Sequence, residues 1–148
     1  INETGSWGWV HVGAFEPAGG GGTGSLGCPG NQEMAIVAHA DDDIIFMNPT
    51  IDDRIGNGRC IVTVYLTAGD AGNDRSYWST RETAARAAHA RMESVTLGSW
   101  QSTTSSVDGH QVATAELPGH DGSELYSFRL PDGMQGDGVL PGPGSDRY

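Results

Sequence analysis

Two apolar segments rich in Val, Ile and Ala dominate the hydrophobic pattern of the chain. The first covers residues 33–38 and the second is Cys60–Thr67. Apolar runs of this length, bounded by polar residues and Gly, are typical of buried strands. The second run is apolar at successive positions, which favours a strand covered on both faces, as in a parallel sheet. The pattern therefore predicts two central strands.

Helices are predicted after both strands. Residues 44–47 form a first helical turn after strand one, and a longer helix follows strand two. Ser79-Thr80-Arg81-Glu82 has the spacing of a capping box, in which Ser79 is the N-cap and Glu82 bonds back to it. Small residues at helical spacing continue to Gly98. Strand, helix, strand, helix is a βαβα order, which predicts a mostly parallel sheet.

The last third of the chain has a different pattern. Ser and Thr alternate with Val up to residue 106, Asp108-Gly109 marks a hairpin turn, and residues 111–117 return along the hairpin. A further strand is predicted at residues 125–130. The predicted fold class is α/β: a Rossmann-like, mostly parallel sheet with helices on both faces, plus an antiparallel hairpin. We expect a second polypeptide to complete the sheet, because an apolar sheet edge would otherwise be exposed.

Residues 1–30 differ in composition from the rest. Residues 1–15 alternate aromatic and small residues, which predicts an edge strand or an apolar anchor for a neighbouring domain. Residues 16–30 are rich in Gly and are predicted to be a linker. A phosphate-binding loop is rejected because the Gly-Lys-Ser/Thr ending is missing. Residues 31–148 are predicted to form the N-terminal portion of a domain.

Charge and cysteine content bear on the binding partners and the cellular location of the protein. A net charge of -11 argues against nucleic acid or an anionic membrane as a partner, and no apolar run is long enough to predict a membrane span. Cys28 and Cys60 precede the two predicted strands. Two interpretations stay open: buried thiols, or a disulfide in an exported protein. We favour an extracellular location, with the cytoplasm as the alternative.

A histidine and three aspartates follow directly on the first predicted strand, as His39, Asp41, Asp42 and Asp43. In open parallel sheets, ligands bind at the carboxyl ends of the strands. Carboxylates crowd there when a cation, a proton or a hydrogen-bond donor offsets their repulsion. Mixed nitrogen and oxygen ligands suit a catalytic zinc site. A solvated turn or a helix cap is the alternative for the aspartates.

The segment His39-Ala40-Asp41-Asp42-Asp43 resembles the His-Pro-Asp-Asp-Glu signature of the PIG-L (LmbE-like) family of zinc-dependent de-N-acetylases. The second strand, the segment Ala68-Gly69-Asp70-Ala71-Gly72 and an Ala-rich helix led by Arg81 follow in the family's order. The resemblance covers residues 33–98. It implies a Zn2+-dependent hydrolase that removes an acetyl group from an N-acetylated amino sugar or glycoconjugate.

The resemblance implies a role for each residue of the loop. His39 and Asp42 match the family's metal ligands, and Asp41 matches the carboxylate that acts as general base. Asp43 stands in place of the family's Glu, so its contact behind the ligands is expected to differ. Ala40 stands in place of Pro, which loosens the entry to the loop.

Two residues beyond the loop are predicted to bind substrate. Asp70 follows the second strand at the same sheet edge, and a turn residue between two glycines is the alternative. Arg81 matches a family arginine that contacts substrate; a surface arginine, or one paired with an aspartate, is the alternative.

Asp132 resembles an acidic residue at the end of the family's next strand. Tyr77 and Trp78 form either a wall for a sugar ring or part of the core.

The family's third metal ligand is a histidine in a later motif that does not occur in this sequence. We predict that His110 and His120 are exposed loop residues and that His89 lies on a helix face. The third ligand is therefore expected on the second polypeptide that completes the domain.

Two other functions stay open. One is a non-catalytic carbohydrate- or metal-binding module on the same fold, although His39 weighs against calcium, which prefers oxygen ligands. The other is an amidase that acts on a larger N-acyl conjugate. Pocket size separates that amidase from a deacetylase acting on a small-molecule or glycan substrate.

Overall fold

The computed structural model describes residues 32–107, 109–130 and 132. The predicted N-terminal strand and Gly-rich linker lie outside these ranges, and so does Cys28. Cys60 is buried and disulfide-bonded. Cys28 is the only other cysteine in the sequence.

One mixed sheet contains all five strands of the described chain. The strands are β1 (Gln32–Val37), β2 (Cys60–Thr67), β3 (Gln101–Val107), β4 (His110–Leu117) and β5 (His120–Leu130). Their order across the sheet is β1-β2-β5-β4-β3. β2 pairs in parallel with both β1 and β5, whereas β4 is antiparallel to β5 and to β3. The predicted α/β class, with a parallel centre and an antiparallel hairpin, is confirmed.

Three α-helices and one turn of 3-10 helix connect the strands. They are α1 (Asp42–Phe46), α2 (Thr50–Gly56), α3 (Arg75–Met92) and the 3-10 turn Leu97–Ser99. The sequence pattern did not predict α2, although its buried Ile51 and Ile55 have helical spacing. None of the described helices is long and apolar enough to cross a membrane.

The predicted capping box at the start of α3 is wrong. The N-cap is Asp74, whose carboxylate accepts the N–H groups of Ser76 and Tyr77. Carboxylate oxygens are among the best N-cap acceptors, so the helix begins five residues earlier than predicted. Ser79 lies inside α3 and donates its hydroxyl to the carbonyl of Ser76. The carboxylate of Glu82 accepts a hydrogen bond from Arg129 of β5 and not from the backbone at the start of the helix.

All three described helices pack against the same face of the sheet, so the predicted helices on both faces are not found in the described part of the chain. Ile51 and Ile55 of α2 join Ala35 of β1 and Ile61 of β2 in one buried cluster. A second cluster combines Ala85 of α3 with sheet residues, namely Tyr65, Ala115 and Leu125. α1 reaches this face through Asp43, which bonds to Tyr65. The loop of residues 39–43 and α3 therefore lie on one side of the parallel strands.

The carboxyl ends of β1, β2 and β5 meet at one edge of the sheet because these three strands are parallel. β1 leads into His39, β2 into Asp70 and β5 into Asp132. β5 has one extra residue near this edge, since Tyr65 pairs with Ser127 but Thr67 pairs with Leu130. Such a bulge re-aims the side chains at a strand end.

Candidate metal and catalytic site

The loop after β1 closes on itself through backbone and side-chain hydrogen bonds. The N–H of His39 donates to Oδ2 of Asp42 at 3.0 Å, and the N–H of Asp42 donates to the carbonyl of His39 at 3.3 Å. Nδ1 of His39 lies 3.2 Å from the same Asp42 oxygen. Local chain geometry thus places the histidine nitrogen beside the aspartate oxygen.

A second carboxylate reaches His39 from β5. Nε2 of His39 lies 2.8 Å from Oδ1 of Asp132. The N–H of Asp132 in turn donates to Oδ1 of Asp70 at 3.1 Å, and Asp70 is fully buried. Asp70 therefore holds the backbone of Asp132 in place through a hydrogen bond. The contact of Asp70 with substrate stays a prediction.

The two carboxylates beside His39 control its protonation. Partial burial lowers the pKa of His39, but the hydrogen bond and charge of Asp132, followed by the charge of Asp42, outweigh this effect. The net result is a pKa above the usual histidine value. Asp132 and Asp42 thus favour positive charge at the position of the His39 ring.

Arg81 connects α3 to the loop. Its Nη2 donates to Oδ1 of Asp41 at 2.5 Å, and the Asp41 side chain stays 44% exposed. Gly69 packs against this arginine: a Cβ at position 69 would lie 3.2 Å from Cζ of Arg81 and 3.4 Å from Cβ of His39. The φ of Gly69 is +59, a value that favours glycine. The loop after β2 therefore lies directly against Arg81 and His39.

The loop residues have the donor set of a metal site. One ligand atom from each of His39, Asp41 and Asp42 lies within 4.8 Å of the other two. One imidazole nitrogen and two carboxylate oxygens suit a divalent ion such as zinc. The raised pKa of His39 is consistent with this fit, because a cation would relieve the same excess of negative charge.

A fully buried polar cluster, which we call the Asp43 cluster, lies behind the loop and consists of Asp43, Tyr65, His89 and Ser123. Oδ2 of Asp43 accepts the Tyr65 hydroxyl at 2.8 Å and is also 2.8 Å from Nε2 of His89. Nδ1 of His89 lies 3.0 Å from Oγ of Ser123. Burial and the charge of Asp43 raise the pKa of Tyr65, so its hydroxyl stays a donor.

Sequence reasoning missed the role of His89, although a signal for it exists. His89 follows Trp78, Glu82 and Ala85 at helical spacing, and all four are buried. A polar residue on such a stripe needs a buried partner. The other predicted histidines, His110 and His120, are exposed as expected, but they begin β4 and β5 rather than lying in loops.

The aromatic pair at the start of α3 divides between surface and core. Tyr77 is 43% exposed and Trp78 only 2%. The guanidinium of Arg129 lies 4.8 Å from the centre of the Trp78 ring. Arg129 also donates to both oxygens of Glu82, at 2.7 and 2.9 Å, which fixes the end of β5 to α3. The sequence pattern did not predict this contact.

Comparison with known families agrees with this geometry. The family model for GlcNAc-PI de-N-acetylase (PIG-L) matches residues 34–132, more than half of the chain. The chain belongs to the PIG-L family. The match extends from β1 to Asp132 and so contains all residues of the site. No curated protein and no solved structure matches the chain.

Membership of the PIG-L family indicates a class of activity. The family consists of de-N-acetylase-type hydrolases, and the resemblance found in the sequence is confirmed. In this PIG-L chain, the first strand end supplies the histidine and aspartates, and α3 supplies the arginine beside them. Hydrolysis of an amide fits carboxylates and an imidazole that converge at one open sheet edge.

Proposed function

We propose that this PIG-L chain is a zinc-dependent hydrolase that removes the acetyl group from an N-acetylated amino sugar or glycoconjugate. One observation carries the proposal: ligand atoms of His39, Asp41 and Asp42 lie within 4.8 Å of one another at the carboxyl edge of the parallel strands. Family membership supplies the reaction class, and this arrangement supplies groups suited to it.

In the proposed site, His39 and Asp42 hold the metal. Zinc bound there would act as a Lewis acid that activates water and polarises the amide carbonyl. Catalytic zinc has three protein ligands. The family pattern makes the third a histidine from another part of the protein, and its place on a second polypeptide stays a prediction. Asp132 orients the His39 ring through the nitrogen that faces away from Asp42.

Asp41 is the proposed general base. It accepts a proton from the attacking water while the water oxygen bonds to the acetyl carbon. The carbon–nitrogen bond then breaks, and the amine leaves with a proton delivered from the same carboxyl group, so that acetate and a free amine result. Arg81 holds Oδ1 of Asp41 and thereby fixes the direction of this carboxylate. An orientation set from α3 keeps the base beside the ligands.

The surface beside Arg81 suits a sugar. Tyr77 lies one helical turn before Arg81 and is half-exposed, so its ring offers a flat apolar face for a pyranose. At the same edge of the sheet, Arg81 is a hydrogen-bond donor and Asp132 a hydrogen-bond acceptor for the hydroxyl groups of a sugar ring. Trp78 is buried and belongs to the core, which leaves Tyr77 as the candidate wall.

The proposal is tested by metal content and acetate release measured on the same samples. We expect about one zinc per molecule in the wild-type protein, loss of zinc in Asp42→Ala, and retained zinc without acetate release in Asp41→Asn. Asp52→Asn, an exposed change on α2, is the matched control. Absence of zinc from wild-type protein supplied with the metal would overturn the proposal.

The same experiment separates the other two functions. A binding module would retain zinc or sugar in wild type but release no acetate from any N-acetyl sugar. An amidase for larger conjugates would release a longer acid from a longer N-acyl substrate, and acetate only slowly. Acetate release from an N-acetyl sugar that disappears in Asp41→Asn is the result that the deacetylase proposal requires.

A further inference from the structure

The Asp43 cluster connects the metal loop to two elements of the core. Asp43 directly follows the proposed ligand Asp42, and both lie in the first turn of α1. One oxygen of Asp43 accepts hydrogen bonds from Tyr65 on β2 and His89 on α3. Asp43 and His89 are both 0% exposed. Three elements therefore meet at one buried carboxylate oxygen, a single residue away from the metal ligand.

The other contacts that hold the loop are much more open to water. The pair of His39 with Asp132 has side chains 32% and 25% exposed, and the pair of Arg81 with Asp41 has side chains 25% and 44% exposed. Water competes with hydrogen bonds at such sites, so these pairs orient their own side chains but stabilise the position of the loop less than a fully buried bond does. The bond between His89 and Asp43 has no such competitor.

The chemistry of His89 suits a bridge rather than a reactive group. A carboxylate only accepts hydrogen bonds, so Nε2 of His89 donates to Asp43. Nδ1 then faces the hydroxyl of Ser123 on β5. The imidazole thus spans from the metal loop to the strand whose end carries Asp132. Since His89 is fully buried among these partners, it does not contact substrate.

We propose that His89 is a positioning residue of the metal site, which holds Asp42 in place through Asp43; this inference rests on the proposed zinc-dependent function. Asp43 has a shorter side chain than the glutamate of the family signature. Nε2 of His89 lies within hydrogen-bond distance of the carboxylate of this shorter residue. Groups that orient metal ligands typically change metal affinity about 10- to 100-fold when they are removed.

The test compares His89→Leu, His89→Gln and wild type for affinity toward Zn2+ and for the visible absorption spectrum of the Co2+-loaded protein. We expect His89→Leu to weaken zinc binding about 10- to 100-fold and to change the Co2+ bands. His89→Gln keeps a donor for Asp43 and is expected to restore part of the affinity. Ile55→Ala, in the core cluster between α2 and the sheet, is the control for lost stability without loss of the bridge.

Amide hydrogen exchange of residues 40–43 in the metal-free protein gives a readout that needs no metal. Exchange is expected to be faster in His89→Leu and unchanged in Ile55→Ala. Unchanged exchange and unchanged zinc affinity in His89→Leu would overturn the inference. Wild-type protein that binds no zinc would overturn the proposed function instead, and exchange at these four residues would still decide whether His89 holds the loop.

Two milder variants keep the inference testable where His89→Leu does not fold. Tyr65→Phe removes only the second donor to Asp43, and Ser123→Ala removes only the partner of Nδ1. Each is expected to weaken zinc binding by less than His89→Leu and to speed exchange in the same four residues. Zinc affinity and exchange equal to wild type in both variants would contradict the inference.

Discussion

Nε2 of His39 lies 2.8 Å from Oδ1 of Asp132, although 93 positions separate the two residues in the chain. The contact exists because β5, which ends near Asp132, pairs directly with β2 in the centre of the sheet. It joins the signature loop to the far end of the segment matched by the PIG-L family model. The contact also raises the pKa of His39.

Asp132→Asn is expected to lower the pKa of His39 in the metal-free protein. Partial burial already lowers this pKa, and Asp132 is the main group that raises it. The His39–Asp132 pair stabilises the fold below the unfolded histidine pKa of about 6.5, and this stabilisation is lost as the pH rises through the higher folded value. The pKa is measured by NMR titration of the imidazole protons.

Zinc affinity is expected to depend on the pKa of His39, because only a neutral imidazole binds the metal. Affinity should rise with pH through the pKa of His39, and the rise should occur at lower pH in Asp132→Asn. Asp52→Asn serves as the control with an equal change of charge. A His39 pKa that is the same in wild type and Asp132→Asn would show that the contact is absent in solution.

Gly69→Ala is expected to reduce both stability and activity. The left-handed backbone costs a non-glycine residue about 1–2 kcal/mol, and the new Cβ would press on Arg81 and His39. Gly58 is a matched control, because its φ is +74 and no atom lies within 4 Å of an added Cβ. Gly58→Ala should therefore lose similar stability, measured by urea unfolding, but keep wild-type acetate release. Equal acetate release in Gly69→Ala and Gly58→Ala would show that contact of residue 69 with Arg81 and His39 does not affect activity.

Arg81→Lys is expected to lower kcat/KM about 10²-fold, because a misplaced catalytic group costs roughly that factor. Lysine keeps the positive charge but lacks the planar fork that fixes Asp41 and faces a sugar hydroxyl. A loss in kcat would indicate that Arg81 orients the base, and a rise in KM that it binds substrate. Arg91→Lys, near the end of the same helix, is the control. Wild-type kinetics in Arg81→Lys would exclude both roles.

Glu124→Gln is expected to stabilise the protein at pH 7. Burial raises the pKa of Glu124; the Tyr126 hydroxyl opposes this, and the charge of Glu116, directly opposite on β4, adds to it. A carboxyl group with a raised pKa destabilises the fold above that pKa, and the penalty fades as the pH falls below the unfolded value. The midpoint of thermal unfolding should therefore be higher in the variant at pH 7 and converge with wild type near pH 4.

Glu116→Gln tests the cause of that effect. Removing Glu116 relieves the like-charge pair across the two strands, so this variant should also unfold at higher temperature at pH 7. The double variant should gain less than the sum of the two single gains, because each change removes the same repulsion. Additive gains would show that the two carboxylates do not interact.

Local sequence pattern predicted much of this structure. β2 has the predicted bounds, Cys60–Thr67, because a run of β-branched and apolar residues between Gly-containing turns favours a buried strand. The closed loop from His39 to Asp42 depends on bonds over three residues, so its geometry is contained in the segment itself. The hairpin of β3 and β4 likewise depends on a short turn.

The errors arose where two local signals competed or where a partner lay far along the chain. Asp74 and Ser79 are both N-cap residues by type, and only the folded chain shows that Asp74 begins α3. His89 looks like any polar residue in an Ala-rich helix until Asp43 and Ser123 are placed on either side of it. Glu82 pairs with Arg129 of β5, a residue 47 positions further along the chain.

The sequence by itself determined the periodic elements, the family and the composition of the candidate metal-binding loop, residues 39–43, because these depend on residues close together in the chain. Only the tertiary structure decided which groups support that loop. β5 lies next to β2 rather than beyond the hairpin, which brings Asp132 to His39. α3 packs over β2 and β5, which buries His89 against Asp43. Strand order and helix packing are set by burial of apolar surface over the whole chain, and no short segment contains that information.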